Sequence, residues 1–202
     1  SARGEDAIQV LREALFDQPG HDEALAMLTS SLERAGRTDE LTELLRDQLI
    51  GAQDRGDVAT LRATSLRLGA MVGGDDAIQI YRDALAVGDD PGILGTLLDA
   101  LGPNHEAAER AALGERLLAL QSGQEAAARA RALAQLYAEV GDAAGQLRML
   151  EAGLSLAPGD VEIRGQLEQY YREQGDNAGL ARILVATAES NDDPAQKVIL
   201  LR

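Results

Sequence analysis

The residues able to do chemistry in this 202-residue chain are few and far apart. There are two histidines, His21 and His105, no cysteine and a single lysine, Lys197. General acid–base catalysis needs groups of matched pKa within hydrogen-bond reach, and neither histidine has a second one four residues on. Both fall in polar turns, where a histidine is solvated or caps a helix. Without thiolates, a structural zinc site would need carboxylates and two separated imidazoles. Three acidic doublets, Asp75-Asp76, Asp89-Asp90 and Asp192-Asp193, invite a calcium or acid–base reading. None has the alternating spacing of a calcium loop. Each stands at a helix start, where orphan N–H groups and the helix dipole favour a carboxylate. Gly69, Gly73 and Gly74 are followed by no Lys-Ser/Thr pair and preceded by no strand, so they form no phosphate loop. No G-x-S-x-G or S-x-x-K pattern occurs. This inventory points to a protein that is not an enzyme, with no cofactor and no metal.

The elements that would position any site are helical. Ala and Leu dominate a hydrophobic content of 45%, aromatics make up 2%, and Val, Ile and Thr are too sparse for a sheet-rich fold. Lys and Arg number 19 against 34 Asp and Glu, a formal charge of −15. That sign argues against nucleic acid, which requires a basic stripe. No run reaches the roughly 18 apolar residues of a membrane span, and no signal-peptide core opens the chain. Arginine in place of lysine suggests a GC-rich bacterial source, and the composition fits a soluble protein of the cytoplasm, with the periplasm also open.

An internal repeat organises the chain. Asp6 to Leu15 reads DAIQVLREAL and Asp76 to Leu85 reads DAIQIYRDAL, identical at seven of the ten positions. A weaker copy, QLRMLEAGL, runs from Gln146 to Leu154. The offset of 70 is two units of 35. The five prolines, Pro19, Pro91, Pro103, Pro158 and Pro194, all lie between apolar-periodic segments. Gly36 before Thr38, Gly74 before Asp75, Gly141 before Asp142 and Gly175 before Asp176 each read as a helix stop followed by a cap. Asp90-Pro91 and Asp193-Pro194 read as N-cap and first helical residue, and Ser122 with Glu125 as a capping box. Within segments the apolar spacing is three and four, as in Leu25, Leu28 and Leu32. Together these signals predict about twelve helices joined by short loops.

The unit resembles the tetratricopeptide repeat, a helix pair of 34 residues. From Asp22, Leu25, Leu28, Leu32, Gly36 and Leu45 fall on its pattern. From Ala127, so do Leu133, Ala134, Tyr137, Gly141, Leu150, Gly153 and Pro158. From Val161, the matches are Leu167, Tyr171, Gly175, Leu180 and Leu184. The signature Trp is absent, and Leu41 replaces a small residue. The resemblance implies an all-α solenoid of stacked antiparallel helix pairs with a right-handed superhelix. It spans 1–202 as one domain: a partial unit at 5–20, units at about 21–56, 57–90, 91–122, 123–159 and 160–192, and the start of another at 193–202. The segment 91–101 is a short helix carrying Gly92 and Gly95, readable either as drift in a loose repeat or as a bend. Both ends look cut from a longer solenoid, so Val198, Ile199 and Leu201 are expected to present an apolar end for end-to-end self-association.

In this family ligands lie in a concave groove lined by the first helix of each pair. The positions that carry over are Glu23, Ala26, Ser30, Glu33 and Arg34, then Ala128, Arg131, Gln135, Ala138 and Glu139, then Glu162, Gly165, Gln169, Arg172 and Glu173, with Arg62 in the second unit. No Lys or Asn stands at any of them, so the family's clamp for chaperone tails is missing. Arg34, Arg131 and Arg172 are fork-shaped donors suited to carboxylates or carbonyls of a peptide, or else solvated residues paired with glutamates one turn away. Two functions follow. One is a scaffold presenting a groove to a peptide or protein partner; the other is an architectural spacer with no groove ligand.

Overall fold

The structure, a computed structural model, describes residues 2–18 and 21–190. Among these residues there are eleven α-helices and no strand. They are α1 (Ala2–Asp17), α2 (Asp22–Ala35), α3 (Thr38–Arg55), α4 (Val58–Val72), α5 (Gly74–Ala84), α6 (Pro91–Leu101), α7 (Ala107–Leu118), α8 (Gly123–Glu139), α9 (Ala143–Leu156), α10 (Val161–Gln174) and α11 (Asn177–Ser190), with a 3-10 turn at Leu85–Val87 after α5. The expected all-α stack of helix pairs is the fold observed. The cap at Asp193-Pro194 and the apolar residues Val198, Ile199 and Leu201 lie outside the described residues.

Each helix carries only a few large apolar residues, so burial comes from stacking neighbours. The chain divides into two compact units between Gly88 and Asp89. In the first, Ile8, Leu28, Leu32, Leu41, Leu45 and Leu68 form a core drawn from α1 to α4. In the second, Leu133, Met149, Leu150, Ile163, Leu167 and Tyr171 form another, from α8 to α10. Full burial of such a side chain contributes about 1.5–3 kcal/mol against about 1–2 kcal/mol of backbone entropy for every ordered residue, so no single helix pair could stand alone and stability comes from stacking within each unit. The short helix α6 compensates by burying Ile93, Leu94 and Leu97 completely.

One turn chemistry recurs. At Gly36, Gly56, Gly141 and Gly175 the glycine takes a positive φ, and the next residue's N–H bonds back to a carbonyl five residues earlier, as Asp142 does to Tyr137 and Asp176 to Tyr171. At the last three of these the following aspartate then starts the next helix. Asp57, Asp142 and Asp176 each accept a backbone N–H three residues on, from Thr60 at 3.1 Å, Gly145 at 2.9 Å and Gly179 at 2.9 Å. Asp90 does the same for Ile93 at 3.0 Å, with Pro91 as first helical residue. Three expected caps are not formed: α5 begins at Gly74, so Asp75 is already helical and no side chain caps that end. Thr38 is already helical, and the residue before it, Arg37, pairs instead with Glu40. Ser122 makes no cap bond, and the Glu125 carboxylate that would complete the box accepts from Gln121 instead, at 2.7 Å.

Candidate interaction site

The first helix of each pair holds the residues expected to line a groove. In the first unit, Glu23, Ser30 and Arg34 are exposed on α2, and Arg34 Nε donates to the Ser30 carbonyl of its own helix at 3.2 Å. Arg62 of α4 is half-buried and donates to the Gly88 carbonyl at 3.3 Å. In the second unit, Arg131 of α8 pairs with Glu162 of α10, and Arg172 pairs with Glu168 one turn earlier at 3.1 Å. The arginines are thus held by the protein's own carboxylates and carbonyls. Glu33 of α2 and Arg67 of α4 repeat the Arg131–Glu162 arrangement with charges reversed. Ion pairs between successive first helices therefore occur in both units.

Gln135 and Gln169, 34 residues apart, are brought together. They line one cavity of about 120 Å³ with Gln146 of α9 and Gln166, Tyr170 and Glu173 of α10, over Ala134 and Leu150. Gln169 donates to Glu173 at 2.8 Å, and Tyr170 to the Ala143 carbonyl at 2.9 Å. Four carboxamides around one cavity make a surface able both to donate and to accept, with the Glu173 carboxylate as the charge on its rim. Sequence reasoning missed Gln146 and Gln166. Gln166 stands one turn before Gln169, a spacing that places both on one helix face. Along the same helices toward their starts, a shallower trough of about 590 Å³ is lined by Ala127, Ala128 and Arg131 of α8 and by the loop Ala157 to Asp160.

A repeated module fixes α8 to α9 and α10 to α11. The sequence Y-x3-G-D-x2-G-x2-R occurs at Tyr137 to Arg148 and again at Tyr171 to Arg182. Each tyrosine ring lies where a side chain on Gly145 or Gly179 would stand, and each hydroxyl donates to a glutamate, Glu115 at 2.6 Å or Glu151 at 3.0 Å. Arg148 lies 5.5 Å from the Tyr137 ring centre and bonds Glu115 at 2.6 Å. Comparing the chain with itself at an offset of 34 finds this module, which the longer offset of 70 does not.

These bonds set a pH response. The Tyr137 hydroxyl and then the Arg148 guanidinium hold the Glu115 carboxyl below its ordinary value, against the opposing effect of burial. A carboxyl depressed in the folded state stabilises above its unfolded pKa of about 4.3 and loses that contribution as pH falls through the lower folded value. Burial, then the bond to Glu115, raises the Tyr137 phenol, whose contribution is lost only as pH rises past about 10. Stability is expected to be flat between about pH 5 and 9 and to fall outside it. Tyr137→Phe should move the Glu115 titration, followed by carboxyl NMR, upward; an unmoved titration would refute the link.

His21 Nδ1 accepts the Ala24 N–H at 3.2 Å as a helix cap, and His105 Nε2 lies 2.6 Å from Glu109. Among the described residues no group of three or more metal-ligating side chains converges, and no described helix is long and apolar enough to cross a membrane.

No family model matches the sequence, and no curated protein matches it. Among solved structures the chain is similar to the MamA protein, at 18% identity over 85% of this chain and 92% of that one, with a TM-score of 0.47. It is also similar to TTC0263, a thermophilic TPR protein of Thermus thermophilus, at 20% identity over 84% and 91%, TM-score 0.35. A tetratricopeptide repeat protein of Parabacteroides merdae is similar at 15% identity over 97% and 74%, TM-score 0.40.

Proposed function

We propose that this chain is a non-catalytic interaction scaffold whose face along α8 and α10 holds an extended segment of a partner protein. The observation that carries this reading is the cavity walled by Gln135, Gln146, Gln166 and Gln169. Carboxamides match the donors and acceptors of a peptide main chain without demanding a charge from the ligand. The arginines serve the face as struts and not as grips, since Arg131 and Arg172 already have carboxylate partners. On this reading Glu23, Ser30, Arg34 and Arg62 border the corresponding face of the first unit and contribute less.

The test is site-specific cross-linking in lysate of the source organism, with a photoreactive residue replacing Ala138 beside the cavity. A discrete adduct is expected, lost at least tenfold when Gln135 and Gln169 are both changed to Leu in a chain of unchanged circular dichroism. An adduct indifferent to those changes, or none at all, would leave the spacer. That second reading has its own support in the ion pairs Glu33–Arg67 and Arg131–Glu162, which tie successive first helices together.

A further inference from the structure

A second cavity lies in the first unit, separate from the glutamine site. Its volume is about 270 Å³, and its floor is Leu15, Leu25 and Leu44, one each from α1, α2 and α3. Charged groups stand around that floor: Asp22 from the first turn of α2, and Asp47 and Arg55 from α3, with Gln48 and Thr60 as neutral polar neighbours. Asp22, Asp47 and Arg55 are all exposed, and Arg55 also attracts the Asp57 carboxylate at the start of α4. Gly51 makes room for this arrangement. A Cβ there would lie 3.1 Å from Arg55 Nη1, so the guanidinium folds back over bare backbone one turn earlier, and no other helix comes within 4 Å of that point. A glycine inside a helix weakens it relative to alanine, and packing against a neighbouring helix does not account for this one.

We propose that the cavity binds a free aliphatic α-amino acid. Its opposite charges around an apolar floor define the ligand class. A bare carboxylate would gain the Arg55 fork but meet Asp22 and Asp47; a bare amine would gain the aspartates but meet Arg55. A zwitterion answers both, and an aliphatic body displaces water from the three leucines. The volume sits just below the roughly 300 Å³ at which drug-sized pockets begin, which suits one small molecule.

Calorimetric titration of L-leucine into the whole chain tests this, with amide NMR reading the Gly51 signal. Leucine should bind saturably and shift that signal. Glycine, which lacks the body, leucinamide, which lacks the carboxylate, and N-acetylleucine, which lacks the ammonium, should each bind at least about tenfold more weakly. The last two also imitate the ends of a peptide, so equal binding of either would overturn the proposal in favour of a peptide terminus. Arg55→Gln should weaken leucine at least about tenfold, and Gly51→Leu, which fills the cavity, should abolish binding. No saturable binding of leucine, or an Arg55→Gln chain that binds it undiminished, would also overturn it.

Discussion

Gly69→Val is expected to destabilise the first unit by about 3 kcal/mol, at the upper end of what overpacking a core costs. Gly69 lies buried in α4, and a Cβ there would stand 2.4 Å from Tyr81 Cζ and 2.5 Å from its Cε1 and hydroxyl oxygen. Real carbons do not approach so closely, and the ring is 2% exposed, so it has nowhere to move without opening the core. At about 4–8 °C per kcal/mol for a unit of this size, melting should fall by roughly 12 °C or more. The repeat supplies the rescue. Tyr81 occupies the place in DAIQIYRDAL that Leu11 occupies in DAIQVLREAL. Tyr81→Leu on its own should cost about 1–2 kcal/mol for lost ring burial. Combined with Gly69→Val, it should recover more than half of the valine's cost, a coupling within the range seen for touching residues. Thermal denaturation of the four chains decides: additive losses would mean that the ring and the glycine do not share their space.

Local signals carried the sequence reading furthest. The short helix α6 is legible residue for residue, because Asp90-Pro91 and Gly102-Pro103 are backbone instructions that tertiary contacts rarely override. The Gly-Asp turns at 141 and 175 are legible for the same reason. Thr38 and Ser122 were not: Thr38 falls one residue inside α3, and the Glu125 half of the box expected at Ser122 goes to Gln121. At the candidate site, the positions of Gln135 and Gln169 followed from the 34-residue period. For Arg172 the glutamate one turn away, Glu168, was legible as a partner; for Arg131 the partner was not. Arg131 meets a glutamate 31 residues away, and that distance along the chain says nothing of proximity until helices α8 and α10 are side by side. Gly145 shows the same limit. A mid-helix glycine reads as a weak point in a sequence, and only the Tyr137 ring lying over it makes it a requirement of the packing.

That requirement separates two helical glycines of the second unit by the sign of their effect. At Gly145 a Cβ would lie 2.5 Å from Tyr137 Cδ1, 2.7 Å from its Cγ and 2.7 Å from Asp142 Oδ2. Because Cγ sits at the root of the ring, spinning the ring relieves nothing; the whole side chain must swing away. It would leave the Glu115 bond and the Arg148 contact as it went, and the displaced Asp142 would release the helix cap. Overpacking at about 3 kcal/mol and a lost cap at about 1 kcal/mol give an expected loss near 4 kcal/mol for Gly145→Val. At Gly165 on α10 nothing lies within 4 Å of the same construction and the residue is exposed. Gly165→Ala should therefore stabilise by about 0.5–1 kcal/mol through helix propensity alone. Urea denaturation of both chains separates the two. A Gly145→Val chain within about 1 kcal/mol of the parent, on the scale of ordinary surface changes, would show that the tyrosine module does not fasten α8 to α9. If the module does fasten them, the same substitution also returns the Glu115 carboxyl toward its ordinary range, because the phenol and guanidinium that hold it down have moved off together.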